Sequence, residues 1–160
     1  MRSADPSHSE PEAKVLADIV EYGVHIVHVG HDAEDEGGPV YSYTVGLWHS
    51  FEQPEVIVFG LPEEVAAELL DAVTDEVAEG ERFLAGTRHE GLLQDYAVRF
   101  LGLADAVRDE HLARALWAYA GEPFAAVQLV YPDKQGRWPW HEQTKLGFRE
   151  CQPVIGEREA

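Results

Sequence analysis

Lysine and arginine are scarce in this chain of 160 residues, which carries 12 of them against 30 Asp and Glu and has a formal net charge of −18. Residues 15–81 contain no Lys or Arg at all. Binding to a phosphate backbone requires clustered cationic side chains, so this composition argues against a nucleic-acid partner. The same charge disfavours docking on an anionic membrane.

Cysteine and long apolar runs are also in short supply. The one cysteine, Cys151, excludes an internal disulfide and any metal site that needs several cysteines. No run reaches the roughly 18 apolar residues of a membrane-spanning helix. The N-terminal sequence lacks the apolar core of a signal peptide behind Arg2. These absences together predict a cytoplasmic protein that makes no membrane contact.

The acidic charge is concentrated in the first half of the chain. Residues 1–81 hold 19 acidic and 2 basic residues, whereas residues 82–160 hold 11 acidic and 10 basic residues. One interpretation is a solvated acidic face that keeps the protein in solution. The other is a surface that binds a basic partner protein.

The pattern of apolar residues predicts a single domain over residues 12–156, with a flexible arm over 1–11 and a tail over 157–160. Five strands are predicted at 24–29, 41–47, 55–61, 96–103 and 124–131. Three helices are predicted from the Ser9–Glu12 capping box to Gly23, from Pro62 to Gly80 and from about Asp109 to Ala120.

Consecutive strands without an intervening helix favour an α+β fold over an alternating one. The expected architecture is a mostly antiparallel or mixed sheet of five to six strands with three helices packed against it. Residues 81–94 are expected to form a loop with a short extended piece.

Histidine spacing does not form a metal motif. His25 and His28 fall on opposite faces of one predicted strand, and His31 lies beyond it in an acidic loop at 31–39. No HExxH pattern occurs, so no metal ligand is assigned. A metal-dependent hydrolase stays a further alternative, because scattered histidines and carboxylates can converge through the fold.

Covalent chemistry has no recognisable motif either. Ser42 and Thr44 lie on the polar face of a predicted strand but outside any G-x-S-x-G turn. Cys151 has no thiol-protease signature beside it, and no P-loop or GxGxxG segment is present. Whether the protein is an enzyme is therefore left open.

The segment after the last predicted strand combines tryptophan with cations. Trp138 and Trp140 flank a proline and form a rigid apolar wall with N–H donors. Arg137 and His141 adjoin them, and further Lys and Arg residues make the segment locally cationic. This mixture predicts one wall of a small-molecule pocket that can hold an anionic group. The alternative is that both tryptophans cap the hydrophobic face of the sheet.

Two polar residues stand out within apolar strands. Gln128 needs a hydrogen-bond partner if it is buried, and could then orient a loop or a ligand. Glu55 is expected to be exposed at its strand start, paired or functional, because an unpaired buried carboxylate is costly.

Several short motifs follow one another in a defined order. They are Tyr43-Thr44-Val45-Gly46-Leu47, Pro54-Glu55, Gly60-Leu61, Gly80-x-x-Phe83-x-x-Gly86, Gln128-Leu129-Val130-Tyr131-Pro132-Asp133, Gly136, Pro139-Trp140 and Gln152-Pro153. In this order they resemble the bacterial family called domain of unknown function 4262, over roughly residues 20–155. The resemblance implies a small, soluble, bacterial, single-domain protein, and it implies no activity.

We therefore expect a small-molecule pocket between the Tyr43–Leu47 strand and the Trp138–His141 segment, in a binding protein or an enzyme. Candidates for ligand contact are Tyr43, Thr44, Gln128, Arg137, Trp138 and Trp140. Candidates for catalysis are His49, Glu55, Asp133 and His141. The alternative function is an acidic interaction module, immunity-like or regulatory, that binds a basic protein. No cofactor or oligomeric state is predicted.

Overall fold

The computed structural model describes residues 1–30 and 38–158. The acidic loop predicted at 31–39 therefore lies mostly outside the described residues, and His31 lies entirely outside them.

One mixed sheet of six strands forms the centre of the molecule. The strands are β1 (His25–Val29), β2 (Tyr41–Val45), β3 (Glu55–Phe59), β4 (Thr87–Leu93), β5 (Tyr96–Gly102) and β6 (Ala126–Val130). Their order across the sheet is β1-β2-β3-β6-β5-β4. Strands β3 and β6 run parallel and the other neighbours run antiparallel. The predicted α+β class with a mixed sheet is confirmed.

The number of helices was predicted incorrectly, since the described residues form six rather than three. They are α1 (Glu10–Tyr22), α2 (Leu47–Phe51), α3 (Glu63–Ala78), α4 (Asp105–His111), α5 (Ala113–Tyr119) and α6 (Leu146–Cys151). The first two predicted helices are α1 and α3, and the third divides at Leu112 into α4 and α5. Helices α2 and α6 have 5 and 6 residues, too few to show the helical apolar period.

Strand β4 occupies part of the segment expected to be a loop. It lies at the edge of the sheet, and its side chains are exposed or half-buried. A register shift falls between His89 and Leu93. A half-exposed strand with such an irregularity lacks the strict two-residue alternation by which a strand is predicted.

Apolar clusters cover both faces of the sheet. On one face α3 packs Leu70 and Val73 against a cluster that includes Val56. On the other face Ile19 of α1 and Tyr119 of α5 pack in a second cluster with side chains of β2 and β3. All five residues of β3 are buried, as its uninterrupted apolar sequence predicts.

The first helix begins and ends where its sequence predicts. Ser9 and Glu12 form the capping box, and Gly23 ends the helix in the left-handed conformation at φ 84°. In the preceding arm, the Arg2 amide donates to the Ala118 carbonyl at 2.7 Å. The flexibility of the arm stays a prediction. In the described ranges, no helix combines the length and apolarity needed to cross a membrane.

Candidate functional site

Glu55 and the aromatic segment lie toward opposite ends of the sheet, whereas Tyr43 and Gln128 both lie opposite Ile57 in its middle. Glu55 begins β3 and pairs with Ala126 at the start of the parallel strand β6. The aromatic segment leaves from the other end of β6, about 13 Å away along a five-residue strand. Glu55 and the start of the aromatic segment are therefore separated, which sequence could not show because it gives no strand order. The expected pocket between the Tyr43–Leu47 strand and the Trp138–His141 segment stays a prediction.

Glu55 is fully buried at the first of these two ends. Its Oε1 accepts hydrogen bonds from the Thr44 hydroxyl at 2.8 Å and from the Leu47 amide at 3.1 Å. Its Oε2 accepts from the Gly46 amide at 3.0 Å, from the Trp48 amide at 3.2 Å and from the Tyr119 hydroxyl. The expectation that Glu55 is paired is met by these five donors.

The carboxyl group of Glu55 serves as the cap of α2. Gly46, the residue before this helix, has no side chain that could accept the free amides of the first turn. Glu55 supplies the missing acceptor from the neighbouring strand. Burial raises the pKa of the Glu55 carboxyl, and the hydrogen bonds from Tyr119, Thr44 and the backbone oppose that shift. These contacts explain Glu55 as a structural residue.

His49, at this end, and Tyr43, in the middle of β2, make different contacts. The His49 side chain is exposed, and its backbone amide donates to the Tyr119 hydroxyl at 3.2 Å. Tyr43 is buried, and its hydroxyl accepts from the Arg114 amide at 3.0 Å. Burial raises the pKa of Tyr43 to about 12. Tyr43 and Thr44 therefore belong to the core rather than to an open pocket wall.

Gln128 is fully buried and holds the C-terminal segment against the sheet. Its Nε2 donates to the Pro153 carbonyl at 2.8 Å, and its Oε1 accepts from the Ile155 and Gly156 amides, each at 2.9 Å. The predicted need for a partner is met by backbone. Gln152, which sequence reasoning placed only in a family motif, exchanges hydrogen bonds with the backbone of Tyr131 at 2.9 and 3.0 Å.

Asp133 and His141 shape the turns of the aromatic segment. Asp133 Oδ1 accepts from the amides of Gln135 and Arg137, each at 2.9 Å. His141 Nδ1 accepts from the Gln143 amide at 3.1 Å. Such side-chain contacts to nearby amides are those of ordinary turns. The guanidinium of Arg137 donates to the Gln143 carbonyl at 2.9 Å.

Trp138 and Trp140 form a stacked pair, with ring centres 5.7 Å apart and an angle of 9° between the rings. The guanidinium of Arg99, from β5, lies 5.8 Å from the Trp138 ring centre and 5.5 Å from that of Trp140. Arg158 lies 4.8 Å from the Trp140 ring centre. These are cation–π distances. Sequence reasoning missed Arg99, because nothing in a strand sequence shows which distant ring it will cover.

An open cleft of about 830 Å³ lies beside this stack and is called the Trp140 cleft below. It is lined by Pro139, Trp140, Arg149, Gln152, Val154, Gly156 and Arg158. Of the predicted ligand contacts, Trp140 lies in this lining. Trp138 stacks on Trp140 but does not line the cleft.

A larger groove of about 1160 Å³ lies between the N-terminal arm and α1, shares none of its described lining residues with the Trp140 cleft, and is called the N-terminal groove. Its walls include Met1, Arg2, Leu16, Val20 and His49. Arg2 also lies 5.0 Å from the ring centre of Trp117. His49 is therefore beside a cavity, but one that lies apart from the Trp140 cleft.

The acidic side chains of α3 form an exposed surface to which a basic protein could bind, as the alternative function requires. Glu63, Glu64, Glu68, Asp71, Asp75 and Glu79 are exposed there. Burial and the neighbouring Asp75 raise the pKa of Asp71. Binding of a basic protein to this surface stays a prediction.

The described residues contain no group of three or more His, Cys, Asp or Glu side chains placed to hold a metal ion. His25 Nδ1 lies 2.7 Å from Asp18 Oδ2, whereas His28 Nδ1 lies 2.6 Å from Ser42 Oγ. The two histidines thus have separate partners. The described residues therefore offer no metal site to support the alternative of a metal-dependent hydrolase.

Comparison with known proteins identifies a family. Searches of curated proteins and of solved structures each gave no match. The family model described as Domain of unknown function (DUF4262) matches residues 18–145. This match includes all six strands of the sheet and Trp140, but it ends before the residues at 149–158 that line the Trp140 cleft. The chain therefore belongs to the DUF4262 family.

Proposed function

We propose that this protein binds a small molecule in the Trp140 cleft. The observation that carries the proposal is a cleft of about 830 Å³ beside a stacked indole pair. Small-molecule sites commonly enclose about 300–1,000 Å³ and combine aromatic walls with a few polar groups. The indole of Trp140 offers the aromatic wall, and Arg149 and Arg158 offer polar groups.

The walls of the cleft are fixed by buried hydrogen bonds. Gln128 holds the backbone of residues 153–156, and Gln152 holds the backbone of Tyr131. Both glutamine side chains are fully buried. A site whose walls are held in this way loses little conformational freedom when a ligand binds.

The N-terminal groove is larger, but one of its walls is the chain segment 1–6. That wall is held in part by Arg2, which donates to the Trp117 carbonyl at 2.8 Å and through its amide to Ala118. Its other wall is the surface of α1, with small and aliphatic side chains such as Ala17 and Val20. Polar side chains line this groove too, but among the described residues no stacked pair of indoles does, so we favour the Trp140 cleft.

The proposal is tested with 1-anilinonaphthalene-8-sulfonate, a fluorescent probe that joins aromatic rings to an anion. Trp140→Leu removes the aromatic wall of the cleft. Trp117→Leu is the matched control, because it removes an indole beside the N-terminal groove. Stacking on an aromatic side chain contributes about 1 kcal/mol or more, so we expect the dissociation constant of the probe to rise about tenfold in Trp140→Leu.

The control variant is expected to bind the probe with the wild-type dissociation constant. The proposal would be contradicted if probe binding is weakened equally in both variants, or only in Trp117→Leu. It would also be contradicted if the probe shows no saturable binding to the wild type. Circular dichroism of each variant establishes that it is folded before the titration.

A further inference from the structure

We infer that the Trp140 cleft binds an oxyanion, the carboxylate or phosphate group of its ligand, through Arg149 and Arg158. This inference rests on the proposed function and adds the chemical class of the ligand. It is argued from the hydrogen bonds and ion pairs that these arginines do and do not make, rather than from the aromatic wall.

The arginines around the cleft are not neutralised by carboxylates. Among residues 1–30 and 38–158, no ion pair within 4.0 Å joins Arg99, Arg149 or Arg158 to an Asp or Glu. By contrast, Arg108 lies 2.9 Å from Asp109 and 3.4 Å from Asp105. In a chain with 30 acidic residues, three clustered arginines without a carboxylate partner leave positive charge available to a ligand.

Arg149 is only partly satisfied by the protein. Its Nη2 donates to the His141 carbonyl, whereas its Nε is buried and has no hydrogen-bond partner. A buried donor without an acceptor is unfavourable, and more so when it carries charge. A rotation of the guanidinium towards the cleft would let an oxyanion accept from Nε and Nη2 together, the two donors on the same side of the group. Such paired contacts are the geometry in which arginine binds carboxylate and phosphate.

The local charge supports the same ligand class. Residues 131–158 contain five Lys and Arg and four Asp and Glu, which gives a local charge of +1 in a chain of net charge −18. Arg99 adds a further positive charge from β5. Exposed charges more than about 8 Å away are largely screened at physiological ionic strength, so the acidic first half does not cancel this field.

Arg158 and Arg149 would have different tasks. Arg158 lies on the Trp140 ring, where it can hold an anion at the edge of the aromatic wall. Arg149 lies deeper, between the cleft and the His141 carbonyl. A ligand with a flat group and an acidic group would contact both the ring and the arginines.

The test measures thermal stabilisation of the whole protein by sodium phosphate and by sodium benzoate, at an ionic strength held constant with sodium chloride. A ligand that binds the folded state raises the melting temperature as its concentration exceeds the dissociation constant. We expect saturable stabilisation by at least one salt. Phosphate alone would indicate a phosphate ligand, benzoate alone a carboxylate ligand, and both an oxyanion site of low selectivity.

The variant that decides the inference is Arg149→Lys, which keeps the charge but loses the planar fork of donors. We expect it to raise the dissociation constant of the stabilising anion at least tenfold. Arg88→Lys is the matched control, since Arg88 is exposed on β4 beside Glu90. Arg158→Gln repeats the test at an exposed position should Arg149→Lys impair folding.

The inference is overturned if neither anion stabilises the protein more than chloride does. It is also overturned if Arg149→Lys and Arg158→Gln both bind the anion as tightly as the wild type. If Trp140→Leu still weakens binding of the fluorescent probe in that case, the proposed small-molecule site stands and only the oxyanion assignment is wrong. If instead anion binding depends on Arg149 while Trp140→Leu leaves binding of the probe unchanged, the proposed aromatic wall is wrong.

Discussion

Replacing Glu55 with glutamine is the sharpest test of how the first end of the sheet is held together. The side chain keeps its size, but one acceptor oxygen becomes an NH₂ group that donates hydrogen bonds. All five partners of Glu55 are donors. The amide nitrogen therefore faces donors in either orientation.

The expected loss follows from the partners of each oxygen. The less costly orientation places the amide nitrogen at Oε1, where the donors of Thr44 and Leu47 lose their acceptor. Each buried donor left without a partner costs about 1–3 kcal/mol, so the free energy of unfolding should fall by about 4 kcal/mol. For a domain of this size, with about 3 °C per kcal/mol, the melting temperature should fall by about 12 °C.

Urea and thermal unfolding at neutral pH measure this loss, with Glu64→Gln as the control. Glu64 is exposed on α3, and its replacement should change stability by less than about 0.5 kcal/mol. Hydrogen exchange of the Leu47 amide should also accelerate in Glu55→Gln, because this amide loses its acceptor, whereas the Trp48 amide keeps the remaining oxygen. A variant within about 1 kcal/mol of the wild type, with unchanged exchange at the Leu47 amide, would refute the capping role.

Two further predictions concern the contacts around α1. Gly46 has φ +116°, and a Cβ there would lie 2.8 Å from Ile19 Cγ1, so Gly46→Ala should cost about 2–4 kcal/mol. Gly136→Ala is the control, because Gly136 has φ +80° but nothing within 4 Å of the added atom, and it should lower the free energy of unfolding by about 1 kcal/mol. Equal losses for the two variants in denaturant unfolding would contradict the close approach of Gly46 to Ile19. Burial raises the pKa of Asp18, but hydrogen bonds led by the one from His25 outweigh it and hold that pKa below 3.8. A lowered carboxyl pKa stabilises the folded state at pH values above 3.8, and this stabilisation is lost as the pH falls through the lowered pKa. The free energy of unfolding of Asp18→Asn should therefore be about 1 kcal/mol lower than that of the wild type at about pH 6, and little lower at about pH 2.5. An equal loss at both pH values would count against this pairing.

The elements with strong local signals could be predicted from the sequence. Helix α1 has its capping box at Ser9 and Glu12 and its left-handed glycine at Gly23, all within one local segment. Strand β3 is apolar throughout and is buried on both faces. In both cases the physical cause of the structure lies in neighbouring residues, so pattern alone is informative.

Helix α2 could not be predicted in the same way. Its first residues have no capping side chain in the preceding Gly46, and the acceptor for its free amides is Glu55 on the adjacent strand. The sequence indicated that Glu55 needs partners if buried. Which groups those partners are depends on how β2, α2 and β3 pack together.

The sequence by itself determined the kinds of groups that the protein has available. It determined an acidic first half, an α+β pattern, a cation-rich aromatic segment, and polar residues in strands that must find partners. The tertiary structure alone decided where these groups meet. The parallel pairing of β3 with β6 separates Glu55 from the aromatic segment and leaves the two ends with different tasks. It also decided that Arg99 and Arg158, 59 residues apart in the chain, both lie on the ring of Trp140. Such contacts depend on strand order and register, which a single chain's pattern does not specify.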